Sequence, residues 1–250
     1  MSRFHRHSVP HSVLFPSESS LHDGLVAYWG LGGATGQSRV DSGPNGHDLI
    51  AIGGDDVLQA VGLIGGASEF DSSVSERTIG RANALAGDLI PSADFSMAGW
   101  VFSNDLTNKQ EFAGVYGSAP NRSHKVYKAA TAGGVLEFLV SRDGTNGSTL
   151  SSSYAPTVST WTFWYVQHVD GATIGIRVGS GSTLNAIETQ AHTTGVYGAS
   201  TSDFSLGAVE TPNRLNGRVD EVGFWNRVLT DAEQVELFNN GVGLAYPFEN

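Results

Sequence analysis

The chain of 250 residues contains no cysteine and only two methionines. Disulfides and thiolate metal sites are therefore excluded, the redox compartment is left open, and stability has to come from packing, with or without a hard metal. Positive charge is scarce too: 14 Lys and Arg stand against 25 Asp and Glu, a formal charge of −11. A phosphate backbone calls for clustered cations, so nucleic acid is not an expected partner. No apolar run is long enough to cross a bilayer as a helix, and no membrane partner is expected. The start of the chain, Met1-Ser2-Arg3-Phe4-His5-Arg6-His7, is basic but lacks the apolar core of a secretory signal, so exit through a cleaved leader is not expected.

What the chain does have is glycine, 32 residues dispersed along its length, and enough hydrophobic residues, 40%, for a substantial core. Neither repeats nor a linker divides it. The dominant hydrophobic period is two, interrupted by clusters of Gly, Asn, Asp and Pro, which is an all-β pattern. Leu25-Val26-Ala27-Tyr28-Trp29 reads as a buried strand ending in the glycine-rich turn 30–36. In Phe95-Ser96-Met97-Ala98-Gly99-Trp100-Val101-Phe102, Phe95, Met97 and Val101 share one face while Trp100 and Phe102 share the other, so both faces are expected to be covered. Leu136, Phe138 and Val140 alternate with Glu137, as on a sheet with one wet face.

Asp170-Gly171 lies between the alternating runs 161–168 and 173–178, a strong hairpin signal, and Asp143-Gly144 marks another turn. Further strands are expected at 204–207 and 217–225. One helix is expected after Leu229: Thr230 as cap, Glu233 completing a capping box, Val235 and Phe238 supplying apolar contacts, and Gly241 ending it.

These landmarks in their order resemble the concanavalin A-like, laminin-G-like jelly rolls found in lectins, polysaccharide-binding modules and virion proteins. They are Leu25 to Trp29, Asp41-Ser42-Gly43-Pro44-Asn45-Gly46, Gly65-Gly66-Ala67-Ser68-Glu69-Phe70-Asp71, the strands from Phe95 and Trp161, Leu206-Gly207, and Gly217-Arg218-Val219-Asp220-Glu221-Val222-Gly223-Phe224-Trp225 with the helix after it. The resemblance covers roughly residues 23–240. It implies an all-β antiparallel two-sheet jelly-roll sandwich with one short C-terminal helix, over residues 23–250, preceded by an irregular N-terminal arm, 1–22. Gly30-Leu31-Gly32-Gly33 stands where relatives often carry an acidic residue, so a carboxylate ligand expected there is absent. Residues 81–90 read as a surface excursion.

Counted along Val219 to Phe224, Asp220 shares a face with Val222 and Phe224, which aims its carboxylate into the sandwich, where an unpaired charge is costly. Backbone N–H groups or a structural calcium ion can compensate it. The second possibility takes Asp220 with Asp41 and Asn45 as ligands, because the turn 41–46 resembles the family's loop beside such an ion. Asp71 is a further candidate, with an Asx-turn as the alternative.

Catalysis is not expected. Glycosidases on this fold place paired carboxylates on one strand, and the nearest match here is Glu69, Asp71 and Glu76, with Val74 at the position where the second glutamate is required. No Gly-x-Ser-x-Gly or His-Glu-x-x-His motif is present. Glycan binding is the activity this fold supports most readily, by stacking on exposed aromatics with polar groups alongside. Tyr116, Asn121, Tyr127, Tyr154 and Tyr197, all expected in loops, are the candidate ligand-binding residues. Tyr28, Trp29, Trp100, Trp161, Trp164 and Trp225 are assigned to the core.

His5, His7 and His11 read as part of a flexible arm, with a transition metal as the alternative. The arm's Arg3 and Arg6 complement an otherwise acidic chain, which points to docking on a neighbouring virion protein or a second copy. With the tail 238–248, which resembles jelly rolls of phage structural proteins, the expected role is a bacteriophage decoration or fibre protein on the virion surface. A stand-alone lectin is the alternative, and a glycan-cleaving enzyme the remote one.

Overall fold

A computed structural model describes residues 19–51, 56–73, 79–81, 87–130, 134–209 and 213–249. In chain order the strands are β1 (Leu25–Trp29), β2 (Ile50–Ala51), β3 (Leu58–Val61), β4 (Gly66–Phe70), β5 (Ile79–Arg81), β6 (Phe95–Ser103), β7 (Gln110–Tyr116) and β8 (Arg122–Lys128). They continue as β9 (Leu136–Ser141), β10 (Gly147–Ser151), β11 (Trp161–Val169), β12 (Thr173–Ser180), β13 (Thr183–Leu184), β14 (Glu188–Ala191), β15 (Phe204–Leu206) and β16 (Gly217–Trp225), followed by helix α1 (Asp231–Phe238).

Two antiparallel sheets result, as expected. One runs β13-β12-β11-β6-β16-β4-β3, with β1 also paired to β16 and β14 to β12, for nine strands; the other runs β10-β9-β8-β7-β15-β5-β2. The Asp170-Gly171 hairpin forms in register from Val169↔Thr173 to Thr162↔Ser180, and the turn at Gly144, with φ of +82°, joins β9 to β10.

Alternation explains the layers. Phe95, Met97 and Val101 of β6, Trp164 of β11 and Phe224 of β16 meet Phe112, Phe138 and Phe204 from the facing sheet in the main core. The other face of the nine-stranded sheet carries Tyr28, Trp100, Phe163, Tyr165 and Trp225, covered by Leu21, Leu237, Phe238 and Phe248. That sheet is thus buried on both sides, so its strands read as nearly continuous apolar runs. Each such aromatic contributes about 1.5–3 kcal/mol by leaving water. Gly99 makes the layering possible, since a Cβ there would lie 2.7 Å from the Trp164 ring.

The capping box is formed: Glu233 N–H donates to Thr230 Oγ1 at 3.3 Å and Thr230 N–H to Glu233 Oε2 at 2.7 Å. Two expectations about this helix fail. Val235 is 48% exposed, and Leu237 packs beside Phe238 in its place. The helix ends at Asn239, with φ of +43°, because Asn tolerates the left-handed conformation; Gly241 belongs to the turn that follows. The segment 19–22, assigned to the irregular arm, is a short helical turn docked on the sandwich. Leu21 is fully buried and its carbonyl accepts the Trp225 indole N–H at 2.8 Å. Residues 1–18, including His5, His7 and His11, lie outside the described residues, as do 82–86 of the expected excursion. Among the described residues no helix is long and apolar enough to cross a membrane.

Candidate functional site

Asp220 departs from its sequence-based placement. The pairing of β16 with β6 shifts register between Asp220 and Gly223, and Glu221 adopts φ of +49°. This bulge adds one residue, so Val219, Val222 and Phe224 all face the main core while Asp220 does not share their face. The Asp220 carboxylate is fully buried, with Oδ2 accepting N–H bonds from Leu63 at 2.8 Å and Ile64 at 3.0 Å, and Oδ1 accepting from Glu221 at 3.0 Å. Burial pushes its pKa up to about 8 against the pull of the Ile64 N–H, with the neighbouring Glu221 adding to the rise. Glu221, not singled out from sequence, is 6% exposed with Oε2 unpartnered, and burial raises it to about 7 even with Tyr28 beside it. Two adjacent acids inside an apolar strand are the signal that could have found it. Two neighbours of the pair, Gly30 beside Glu221 and Ile64 bonded to Asp220, are among the walls of a cleft of about 330 Å³ that also includes Arg39 and Ser42.

Asp41 and Asn45 fix a turn against the free edge of β1. Asp41 Oδ1 accepts from Tyr28 N–H at 2.9 Å and Gly43 N–H at 2.7 Å, Oδ2 accepts from His47 N–H at 2.8 Å, and Asn45 Nδ2 donates to Val26 O at 2.9 Å. Among the described residues no three His, Cys, Asp or Glu side chains are placed to hold a metal ion. Asp41 already spends both oxygens on N–H donors, which does not fit a calcium ligand. The same holds for Asp220, whose two oxygens take three N–H bonds, so of these carboxylates only Glu221 keeps an oxygen, Oε2, without a partner, which is too few donors for a hard cation.

The five ligand-binding candidates separate. Tyr116 and Tyr127 are not in loops: they lie on β7 and β8, on the face of the seven-stranded sheet that points away from the core, 8% and 7% exposed. Lys125 sits between them, its Nζ 3.9 Å from the Tyr116 ring centroid and 5.2 Å from that of Tyr127. The same ammonium meets Glu111 Oε1 at 2.8 Å, and Lys109 lies over Tyr127 at 4.5 Å. Burial, with Glu137 alongside, raises the Tyr127 phenol well above its ordinary range. These rings are covered by cations and do not offer open stacking faces.

Asn121 and Tyr197 belong to a half-exposed end of the same sheet. Asn121 Oδ1 accepts from Thr201 Oγ1 at 2.7 Å, and its carbonyl accepts from Ser200 and Ser202, each at 3.0 Å. The Tyr197 ring and the Pro120 carbonyl both crowd Gly144, whose own carbonyl accepts the Arg122 N–H at 3.3 Å. Arg122, which the sequence reading passed over, lies 5.2 Å from the Tyr116 ring centroid with its Nε unpartnered. Arg122 therefore ties Tyr116, Asn121 and Tyr197 into one array. Tyr154 stands apart, 39% exposed before β11, its N–H bonded to Ser152 Oγ at 3.1 Å.

The carboxylates weighed for glycoside cleavage have structural partners. Glu69 Oε1 meets Arg218 Nε at 3.4 Å, and Asp71 Oδ1 caps Ser73 through its N–H at 2.9 Å and its hydroxyl at 2.7 Å, an Asx-turn. Glu76 lies outside the described residues.

The fold defines a jelly-roll module with a polar outer face on one sheet and a helix-covered apolar outer face on the other. The sequence profile of the concanavalin A-like lectin/glucanases superfamily matches residues 77–233, more than half of the 250, and the chain belongs to that family. Among solved structures it is similar to domain 4 of AbnA, an extracellular arabinanase from Geobacillus stearothermophilus in complex with arabinotriose. The identity is 18%, the TM-score 0.61, and 85% of this chain and 97% of that one are covered. It is also similar to the binding domain of botulinum neurotoxin DC in complex with rat synaptotagmin II, at 12% identity and TM-score 0.64, covering 88% of this chain and 52% of that one. A structure of botulinum neurotoxin type C, described as entering cells through two ganglioside molecules, matches at 13% identity and TM-score 0.63, with 89% and 52% covered. The chain spans about half the length of the neurotoxin chains it matches. At these identities the likeness is one of fold. No curated protein sequence matches the chain.

Proposed function

We propose that the chain is a non-catalytic interaction module that holds a glycan at the Asn121, Arg122 and Tyr197 end of the seven-stranded sheet. The carrying observation is Arg122: half-exposed, laid against Tyr116 beside the Asn121 loop and the Tyr197 turn, its Nε buried and its Nη1 donating to Thr145 O at 3.3 Å. A half-exposed guanidinium has more N–H donors at its outer end than the one Thr145 carbonyl takes up, and these are suited to a sugar hydroxyl, while the Tyr197 ring offers an apolar edge. Tyr116 and Tyr127 act behind this surface by anchoring Lys125 and Arg122. Relatives of the same fold described with arabinotriose or with gangliosides support the class of ligand. A glycan array followed by titration of the best oligosaccharide tests it. Tenfold weaker binding by Tyr197→Ala, with melting unchanged, is expected; absence of any glycan ligand contradicts the reading.

The narrower role of a bacteriophage decoration or fibre protein, with the arm docking on other virion proteins or a second copy, rests on residues that are mostly outside the described ones. Assembly of a chain lacking residues 1–18 tests it, and normal assembly counts against it. The expected calcium at Asp220, Asp41 and Asn45 is not supported by this donor set, because N–H groups already occupy both oxygens of each carboxylate. A melting temperature unchanged by a chelator is expected, and a lowered one would restore the ion.

A further inference from the structure

At one end of the sandwich three histidines from different elements are buried together without salt-bridge partners. His124 on β8, His168 on β11 and His192 after β14 are 0%, 0% and 3% exposed. Phe95 joins the first two, its ring centroid 4.9 Å from His124 and 5.7 Å from His168, and His168 meets His192 edge-on at 5.4 Å. Each ring spends one nitrogen locally: His168 Nδ1 on Ala93 O at 3.1 Å, His192 Nε2 on Gly195 O at 2.7 Å, and His124 Nδ1 on Ser123 Oγ at 3.2 Å. A carbonyl only accepts, so His168 and His192 donate there and leave Nε2 and Nδ1 as bare lone pairs. Both of those nitrogens, and His124 Nε2, have no partner among the described residues.

A second proton on any of these rings would create a buried cation whose new N–H has no acceptor. The surrounding groups cannot accommodate it. Phe95 and Phe224 face the cluster from β6 and β16, with Phe138 of β9 edge-on to Phe95, and the acids acting on His168, Asp94 before β6 and Asp170 in the β11–β12 turn, are both exposed and solvent-screened.

We propose that His124, His168 and His192 form an acid-sensitive latch: neutral, they close this end of the sandwich, and protonation releases the segment 192–197. That segment is held by few bonds, chiefly His192 N–H to Ala172 O at 2.8 Å and Tyr197 N–H to Ser141 O at 2.7 Å. It carries Tyr197, so opening would also withdraw Tyr197 from the Asn121 loop. This last consequence rests on the proposed glycan site; the latch does not. Burial lowers His124 to about 3, with His168 adding to it, and burial also lowers His168. A base lowered in the folded state favours the closed form above its free value of 6.5 and loses that advantage as pH falls below it.

Amide hydrogen exchange of the ligand-free full chain between pH 7.5 and pH 4.5, corrected for intrinsic exchange and read alongside histidine Cε1–H titration by NMR, tests the latch. The opening constant of 192–197 should rise about tenfold per pH unit for each histidine freed, while the β6 and β16 amides stay protected. His168→Gln and His192→Gln should flatten that rise. Protection of 192–197 that is constant with pH, or a rise unchanged in both variants, overturns the proposal. If a variant does not fold, the parent decides alone: ordinary titration near 6.5 of His124 and His168 without local opening is equally contradictory.

Discussion

The two outer faces of this sandwich differ in kind. Beyond the nine-stranded sheet lies a sealed aromatic layer, in which Trp100 stacks on Phe238 at 5.6 Å and Tyr28 meets Trp225 at 6.5 Å, closed by α1 and by the segments before β1 and after α1. Beyond the seven-stranded sheet the side chains are Tyr, Lys, Glu and Arg in contact with one another, grading into half-exposed Asn121, Arg122 and Tyr197. One face is spent on stability and the other is left able to meet a partner. Substitutions on the first should move melting, and those at the open end of the second should move binding alone.

The largest effect is expected at Trp100. Trp100→Ala removes the ring between Phe163 and Phe238 and should cost about 3–5 kcal/mol in chemical denaturation. Asp220→Asn comes next. Asp220 and Glu221 have raised folded values near 8 and 7, against 3.8 and 4.5 ordinarily, so their contribution is present below about pH 4 and is lost as pH rises through 7 and 8. The substitution should flatten that alkaline decline, on the order of a few kcal/mol, in denaturation curves at pH 5 and pH 9. Gly62→Ala should disturb the same carboxylate, since its Cβ would stand 2.5 Å from Asp220 Oδ2.

Thr230→Ala breaks the capping box and should cost about 1 kcal/mol by thermal melting. Burial pushes Glu233 up, but the Arg227 fork at 2.9 and 2.6 Å, with Ser20 and Thr230, holds it near 2, so this contribution is lost only in strong acid. The smallest effect is expected at Tyr154, outside both faces: Tyr154→Ala should change stability by less than about 0.5 kcal/mol and leave glycan affinity unchanged.

The contrast also explains what could be read without a structure. The sealed side was legible because its signals are local: alternation in β6, Asp-Gly at the β11–β12 hairpin, Thr and Glu three residues apart at a helix start. Asp220 was misplaced because period-two counting cannot register an inserted bulge residue. Asn239, in place of Gly241, ended the helix through a tolerance for positive φ that Asn shares with Gly. The outer face of the seven-stranded sheet was harder to read for a different reason. Lys125 and Lys128 look like surface residues, yet Lys128 is fully buried with Nζ donating to the carbonyls of Leu106, Asn108 and Ala129, partners fixed by packing and not by spacing. Arg122 gained meaning only once Tyr116, Gly144 and Tyr197 were seen around it.

The division of labour between the faces is tested most directly at Arg122. Titrating an array-selected oligosaccharide against the parent and Arg122→Ala, with melting followed in parallel, should show at least tenfold weaker binding and a melting temperature shifted by no more than a few degrees. Equal affinity in the two proteins, or loss of binding only together with unfolding, would contradict the assignment of the ligand to this end of the seven-stranded sheet.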